Sequence, residues 1–275
     1  MGLIAGQGRL PVLAARGMRA AGLRVACVGL AHQYDAALPG ECDDFAEAGV
    51  IRLGRWIRLL RRFGATEAVM IRAMRKSRAH EPCRSFRQLP DWRAIRLWYG
   101  VLRHDRRNAA LLGAVADELA GQGITLIDST TYLREYLADE GVLTRAQPTA
   151  EQLADIDFAW PLIAQLNRMD IGQSIAVRER EVIAVEAVEG TDAMIRRAGE
   201  LCRRGGWTLV KAAHRHHDMR FDVPTVGPQT IENLRAAKAR CLVVQAGRVI
   251  LADRPQLIEL ADHHGICIVG KALPD

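Results

Sequence analysis

The chain of 275 residues is predicted to be an α/β protein of two domains: an N-terminal Rossmann-like doubly wound domain and a C-terminal α/β domain. Three observations predict this. Short apolar runs alternate with stretches of helical spacing, the pattern of strand–helix–strand units. The run DEGVLTRAQPTAEQ mixes Gly, Pro, Thr and charge with few large apolar residues, which marks a domain boundary. The length suits one large domain or two ordinary ones. The expected division is 1–137, a linker at 138–150, and 151–275.

The elements follow in order. LIA is a short buried strand, and Gly6-Gln7-Gly8 is a tight turn. Leu10 to Ala21 carries helical spacing and ends at Gly22. LRVACVGL is a second strand, which completes a right-handed βαβ unit. Glycines after a first strand let a phosphate approach backbone N–H groups at a helix N-terminus. The full dinucleotide fingerprint needs a third glycine, and Pro11 stands there, so this is not read as an NAD site. Trp56 to Phe63 is a basic helix and EAVMI a strand. A basic run follows with Arg72, Arg75, Lys76 and Arg78, at the sheet end where open α/β folds bind ligands. A solvated loop accounts for that run equally well. Asn108 to Gly121 is an amphipathic helix, ITLID a strand, and Ser129 to Leu137 a further helix.

In the second half, Thr149 to Gln152 reads as a capping box opening a helix through Asn167. Ile156, Ala159, Trp160, Ile163 and Leu166 share one face, and Pro161 lies inside. Ile171 to Val177 and Val182 to Val188 are strands joined by the charged turn Arg178 to Glu181. A helix follows from Asp192 to Cys202, with Thr191 or Asp192 as its expected N-cap. TLVKA, CLVVQA and ICIVG are three more strands. An amphipathic helix starts at Asp253 and closes at Gly265. His263 and His264 sit at that helix end, where its dipole explains them without a function.

Composition excludes several classes. A hydrophobic share of 49% with 25% charged residues is a soluble globular balance. No apolar run approaches a membrane span, and no signal peptide is visible. The scattered cysteines form no CxxC, which suits a reducing, cytoplasmic compartment. The net charge of +6 suits a phosphate-bearing or anionic partner. Nucleic-acid binding has only that charge behind it, with no stacking platform or helix-turn-helix pattern.

The richest stretch for chemistry is HRHHDMRFDVPTVGPQT, from His214 to Thr230. Asp218 and Asp222 share a face in a helix and also in a strand. Pro224 and Pro228 oppose a long helix. A polar loop with Gly and Pro is also an ordinary solvated connection. A metal site on His214, His216 and His217 lacks the four ligands at defined spacing that structural zinc needs. Glu186, Glu189 and Asp192 around Gly190 form a second acidic cluster. It suits either a helix start or a divalent cation, which prefers oxygen ligands.

Several segments coincide with one family. GLIAGQGRLPVL, GITLIDSTTYL, DIGQSIAV, VIAVEAVEGTDAMIRRAGEL, LVK, DMRFDVPTVGPQTIENL and GICIVG, in that order, resemble the UDP-2,3-diacylglucosamine pyrophosphatases of bacterial lipid A synthesis. This is the family unrelated to the metallophosphoesterase type. The resemblance covers most of the chain, and its EGTD and DxRFDxPxxGxxT elements are specific. It implies a cytoplasmic hydrolase, peripheral on the inner membrane. The enzyme splits UDP-2,3-diacylglucosamine into UMP and 2,3-diacylglucosamine 1-phosphate with Mg2+ or Mn2+. The N-terminal domain is implied to meet the nucleotide and the C-terminal domain the acylated sugar phosphate. A homodimer is left open. Either Asp218 or Asp222 is implied to be essential. The chain departs from the family at His214 to His217, where a Lys-Pro stretch ending in Gln is usual. It also has Arg72-Ala73 where Gly-Lys is common.

The residues suit that chemistry, since pyrophosphate hydrolysis needs charge neutralisation and an activated water. Asp218 and Asp222 are the expected metal-binding or water-activating groups, and Glu186, Glu189 and Asp192 the second metal candidates. Arg220 and Lys211 are expected to hold the diphosphate. Gly6, Gln7, Gly8, Arg72, Thr191, Thr225 and Gly227 are the other substrate-binding candidates. The alternative is a non-catalytic protein that binds or senses a nucleotide-linked lipid.

Overall fold

The computed structural model describes residues 1–71, 90–97, 99–100, 108–169, 171–213, 219–220 and 223–272. The sequence readings on Arg72, Arg75, Lys76, Arg78, His214 to His217, Asp218 and Asp222 fall outside these residues. The chain divides into two compact units. The first is Met1–Leu133, joined by Met219 and Arg220, and the second is the rest of the described chain from Arg134 onward.

The first unit is built on a parallel sheet. Its strands are β1 (Gly2–Ala5), β2 (Ala26–Leu30), β3 (Asp44–Ala48), β4 (Glu67–Ile71) and β5 (Thr125–Leu126), in the spatial order β3-β2-β1-β4-β5. All of its neighbouring strands run parallel. Helices α1 (Leu10–Ala20), α2 (Leu53–Arg62), α3 (Trp92–Leu97) and α4 (Asn108–Ala120) make the connections. Ile4, Ala26, Val28, Ala68 and Met70 turn to one face and bury Trp56, Ile57, Leu60, Ala116 and Leu119 of α2 and α4. Alternation sends Leu3, Cys27 and Val69 to the opposite face, and α1 packs on β1 there with Val12, Leu13, Ala15 and Met18 buried.

The second unit has a mixed sheet. It contains β6 (Gly141–Val142), β7 (Ser174–Arg178), β8 (Glu181–Val185), β9 (Thr208–Lys211), β11 (Cys241–Gln245) and β13 (Cys267–Lys271), ordered β6-β13-β11-β9-β7-β8. A separate parallel pair joins β10 (Thr225–Val226) to β12 (Ile250–Leu251). Strands β9, β11 and β13 are parallel, while β6, β7 and β8 pair antiparallel. On one face lies α5 (Ala150–Arg168), whose Ile156, Ala159, Trp160 and Ile163 pack on Ile175, Val177, Val210 and Val243. On the other lie α6 (Thr191–Leu201), α7 (Pro228–Ala236) and α8 (Arg254–His264), packed on Ala176, Leu209, Leu242 and Val244.

The βαβ start, the α/β alternation and the capping box are as the sequence predicts. Thr149 Oγ1 accepts from the Gln152 N–H at 3.2 Å, and the Gln152 side chain accepts from the Thr149 N–H at 2.9 Å.

Four local readings change. Ser129 to Leu137 is not a helix but a set of turns ending in a short 3-10 stretch at Arg134–Tyr136. The cause is local: Asp128 accepts from the Thr130 N–H at 2.7 Å and from the Thr130 hydroxyl at 2.7 Å, a turn that competes with helical bonding. Strand ITLID pairs only over Thr125–Leu126. The strand DFAEA, absent from the sequence reading, pairs with β2 over its full length. The hairpin between β7 and β8 is tighter than expected. Glu179 and Arg180 both take positive φ, 51° and 60°, the backbone of a two-residue primed turn.

One close approach is diagnostic. A Cβ at Gly17 on α1 would stand 2.2 Å from the Tyr132 carbonyl oxygen. Gly17→Ala should therefore destabilise by about 1–3 kcal/mol, the usual cost of overpacking. At about 2–4 °C per kcal/mol, thermal unfolding should shift down by several degrees. An unchanged Tm would remove this contact from the account of the first unit.

Candidate active site

In the first unit the features gather at the carboxyl ends of the parallel strands. Gly6 is buried and follows β1, and its N–H donates to the Ile71 carbonyl at the end of β4 at 2.8 Å. Gln7 and Gly8 are exposed, and Gly8 has φ 98°, a conformation that favours glycine. Arg9, the N-cap of α1, makes no side-chain cap; its carbonyl accepts from the Val12 N–H at 3.0 Å and the Leu13 N–H at 3.1 Å, and Pro11 has no N–H. Strand order changes direction between β1 and β4, the place where open parallel sheets leave a crevice.

Ser129, 3% exposed, was not among the sequence candidates, yet it anchors one of them. Its hydroxyl lies 2.8 Å from the Met70 carbonyl and 2.8 Å from the Arg220 carbonyl, and its N–H donates to the Met219 carbonyl at 3.0 Å. One serine thus ties the backbone at Arg220 to the end of β4. The TLIDST run read as strand then helix, which hid this role.

In the second unit a row of polar side chains crosses β9, β7 and the residue that follows β8. Ser174 on β7 is registered opposite Lys211 on β9. On its other side, the Glu186 N–H donates to the Ser174 carbonyl at 2.9 Å. Ser174 is fully buried, and Lys211 and Glu186 are each 4% exposed. Directly opposed residues project to the same face, here the face covered by α6. Thr191, the first residue of α6, closes the row. Its hydroxyl accepts from Lys211 Nζ at 2.9 Å and donates to Glu186 Oε2 at 2.9 Å.

This arrangement corrects the expected cap. Gly190, with φ 82°, is the N-cap of α6, and no side chain caps the helix. Neither Thr191 nor Asp192 plays that part. The Thr191 hydroxyl turns to the sheet instead.

The other acids have separate engagements. Glu189 pairs with Arg197 and accepts from the Ala187 N–H at 3.2 Å. Its own backbone N–H, then the Arg197 guanidinium, hold its carboxyl below the usual carboxylate range. Asp192 Oδ1 accepts from Asn233 of α7 at 2.9 Å. Among the described residues no group of three or more His, Cys, Asp or Glu side chains is placed to hold a metal ion. The described acids therefore do not make up a cation site as a set.

Thr225 donates to the Val223 carbonyl at 3.0 Å, and Gly227 is the N-cap of α7, its N–H meeting Thr230 Oγ1 at 3.3 Å. Both lie within the Val223–Thr230 run, and these bonds involve no charged group. The chain beyond Lys211 is held firmly. Ala212 donates to the Gln173 carbonyl at 3.0 Å, Ala213 donates to Gln245 Oε1 at 2.9 Å, and the Asn167 amide donates to both the Ala212 and Ala213 carbonyls. Asn167 and Gln245 escape sequence reading because single amides in apolar runs carry no motif.

Comparison with known proteins completes the picture. Residues 1–136 match the LpxI N-terminal domain, and residues 139–269 match the LpxI C-terminal domain. The chain belongs to the LpxI family. It is similar to the UDP-2,3-diacylglucosamine pyrophosphatase LpxI of Caulobacter vibrioides, at 34% identity over 98% of this chain and 96% of that protein. The LpxI domains meet between residues 136 and 139, close to the start of the boundary run. No described helix is long and apolar enough to cross a membrane.

Within the LpxI family reading, the Ser129 contact is open to direct test. Ser129→Ala should speed amide exchange in peptides spanning Met219 and Arg220 by about tenfold, the effect of losing roughly 1.4 kcal/mol of local protection. Peptides of β1 should exchange as before. Unchanged exchange at Arg220 would show that Ser129 does not hold it.

Proposed function

We propose that this protein hydrolyses the pyrophosphate bond of UDP-2,3-diacylglucosamine, giving UMP and 2,3-diacylglucosamine 1-phosphate in lipid A synthesis. The observation that carries this reading is the likeness to the Caulobacter enzyme of that name along almost the whole of both chains.

The geometry supports specific roles. The first unit, with its Rossmann-like strand order, takes the nucleotide at the crevice by Gly6, Gln7 and Gly8. There the backbone amides of the Gln7–Leu10 turn, ahead of Pro11, offer donors to a phosphate. Lys211 supplies positive charge to the diphosphate, held at the uncapped start of α6. Arg220 is the second cation, on a backbone that Ser129 secures. A guanidinium is suited to a bidentate grip on phosphate. Glycine at Gly227 leaves room beside the start of α7.

A divalent cation, magnesium or manganese, belongs to the proposal through the oxygen chemistry of Asp218 and Asp222. When bound it supplies charge neutralisation to the phosphoryl oxygens. Glu186 and Asp192 are engaged otherwise, with Thr191 and Asn233. The acylated substrate also places the enzyme at the surface of the inner membrane.

The test is hydrolysis of UDP-2,3-diacylglucosamine in detergent micelles, with UMP and the lipid phosphate resolved. Release of both should require added Mg2+ or Mn2+ and stop with chelator. Asp218→Asn and Asp222→Asn, made separately, should include at least one variant slowed by about a hundredfold or more, the scale of losing a group that acts in the transition state. Full activity in both variants, or no release by the parent protein, would sink the assignment.

A further inference from the structure

Lys211 is a cation at the wrong end of a helix. The start of α6 carries the positive end of the helix dipole, where anions are favoured and cations are not. Lys211 is nevertheless buried there, with its ammonium on the first residue of α6. A buried ammonium needs partners that fix it in place. A threonine hydroxyl has one proton, so when Thr191 accepts from Lys211 it donates to Glu186, in agreement with the geometry. The chain of bonds therefore has one direction: Lys211 to Thr191 to Glu186.

Ser174 completes the row. Its side chain lies between those of Glu186 and Lys211 across adjacent strands, at cross-strand spacing of about 5 Å between Cβ atoms. It is fully buried, and its hydroxyl has no hydrogen-bond partner among the described residues. Such a group calls for an explanation. Here it offers Lys211 a second acceptor on the same face of the sheet.

We infer that Glu186, Thr191 and Ser174 are positioning residues for Lys211: Glu186 orients the Thr191 hydroxyl, that hydroxyl fixes the ammonium, and Ser174 gives it an alternative seat. The inference rests on the proposed role of Lys211 at the diphosphate. It makes Glu186 a residue that acts through Thr191, in place of a metal ligand.

Two measurements on the full chain test it. The first is a double-mutant cycle on kcat and KM for UDP-2,3-diacylglucosamine. Glu186→Gln and Thr191→Val should each lower kcat by about tenfold, with KM changed by less than about threefold, the mark of an interaction felt in the transition state. Thr191→Ser, which keeps the hydroxyl, should recover most of the loss. In a Lys211→Met background neither Glu186→Gln nor Thr191→Val should lower kcat further, because residues acting through one group are not additive. Ser174→Ala should lower kcat less than Thr191→Val does, and should deepen the loss when combined with it. Additive losses with Lys211→Met, or a Thr191→Val enzyme as fast as its parent, would overturn the inference.

The second measurement does not depend on hydrolysis. The Lys211 ammonium should give a slowly exchanging 15N-bound proton signal in the parent protein, broadened away in Glu186→Gln and Thr191→Val. Loss of that signal without any parent hydrolysis would sustain the network and sink the proposed reaction. A signal unchanged in both variants would sink the network alone.

Discussion

Keeping two opposite charges inside the second unit is the constraint around which that unit is built. Removing an ion from water costs on the order of several kcal/mol, and only good partners offset it. Lys211 and Glu186 are both nearly inaccessible, and neither is placed against the other directly in the bonds that engage Thr191. A hydroxyl between them serves both. For that hydroxyl to be there, α6 must begin with its first side chain turned to the sheet. Gly190 at φ 82° makes this possible, since few side chains tolerate that backbone. Gly172 contributes in another way. A Cβ there would lie 1.9 Å from the Glu186 carbonyl oxygen, so β7 and β8 meet at this end only because the residue is glycine.

The antiparallel strands have a purpose in the same terms. Had the sheet continued with a parallel strand beside β9, a crossover helix would have been needed on one face. A tight hairpin brings β7 and β8 in instead, and registers Ser174 against Lys211 with Glu186 one strand further on. Three residues distant in sequence thus form one polar row beneath α6. The first unit gathers its candidate residues differently. Its parallel strands end together, and Gly6, Met70 and Ser129 are brought to one edge by the sheet order alone.

Much of the fold could be read from sequence because buried strands in parallel sheets are continuous apolar runs. EAVMI, TLVK, CLVVQ and CIVGK are of that kind, and each is a strand. The strand DFAEA has charged residues at both Asp44 and Glu47. It lies at the sheet edge beyond β2, where one side is open and polar residues are tolerated. Apolar content could not mark it. Ser129 to Leu137 failed for the opposite reason. Its composition allows a helix, and the Asp128 side chain decides against one through bonds that propensity does not count. The candidate site was legible where it uses motifs, as at EGTD, whose Thr191 meets Lys211 and Glu186. Ser174 was not, because a serine at the head of an apolar strand is indistinguishable from any small residue until its neighbours across the sheet are known.

The acid-rich turn after β8 shows how acids that are close in sequence part in the fold. Glu186, Glu189 and Asp192 lie within seven residues of sequence around a glycine, a natural setting for oxygen ligands. In the fold they diverge. Glu186 turns inward to Thr191, Glu189 is held by Arg197 on the flank of α6, and Asp192 reaches across to Asn233 on α7. Each acid ties the turn to a different place, so together they fix the start of α6 relative to β8 and α7. That start must be fixed, because the position of Thr191, and through it the ammonium of Lys211, follows from it. Negative charge is spent here on holding one helix end still.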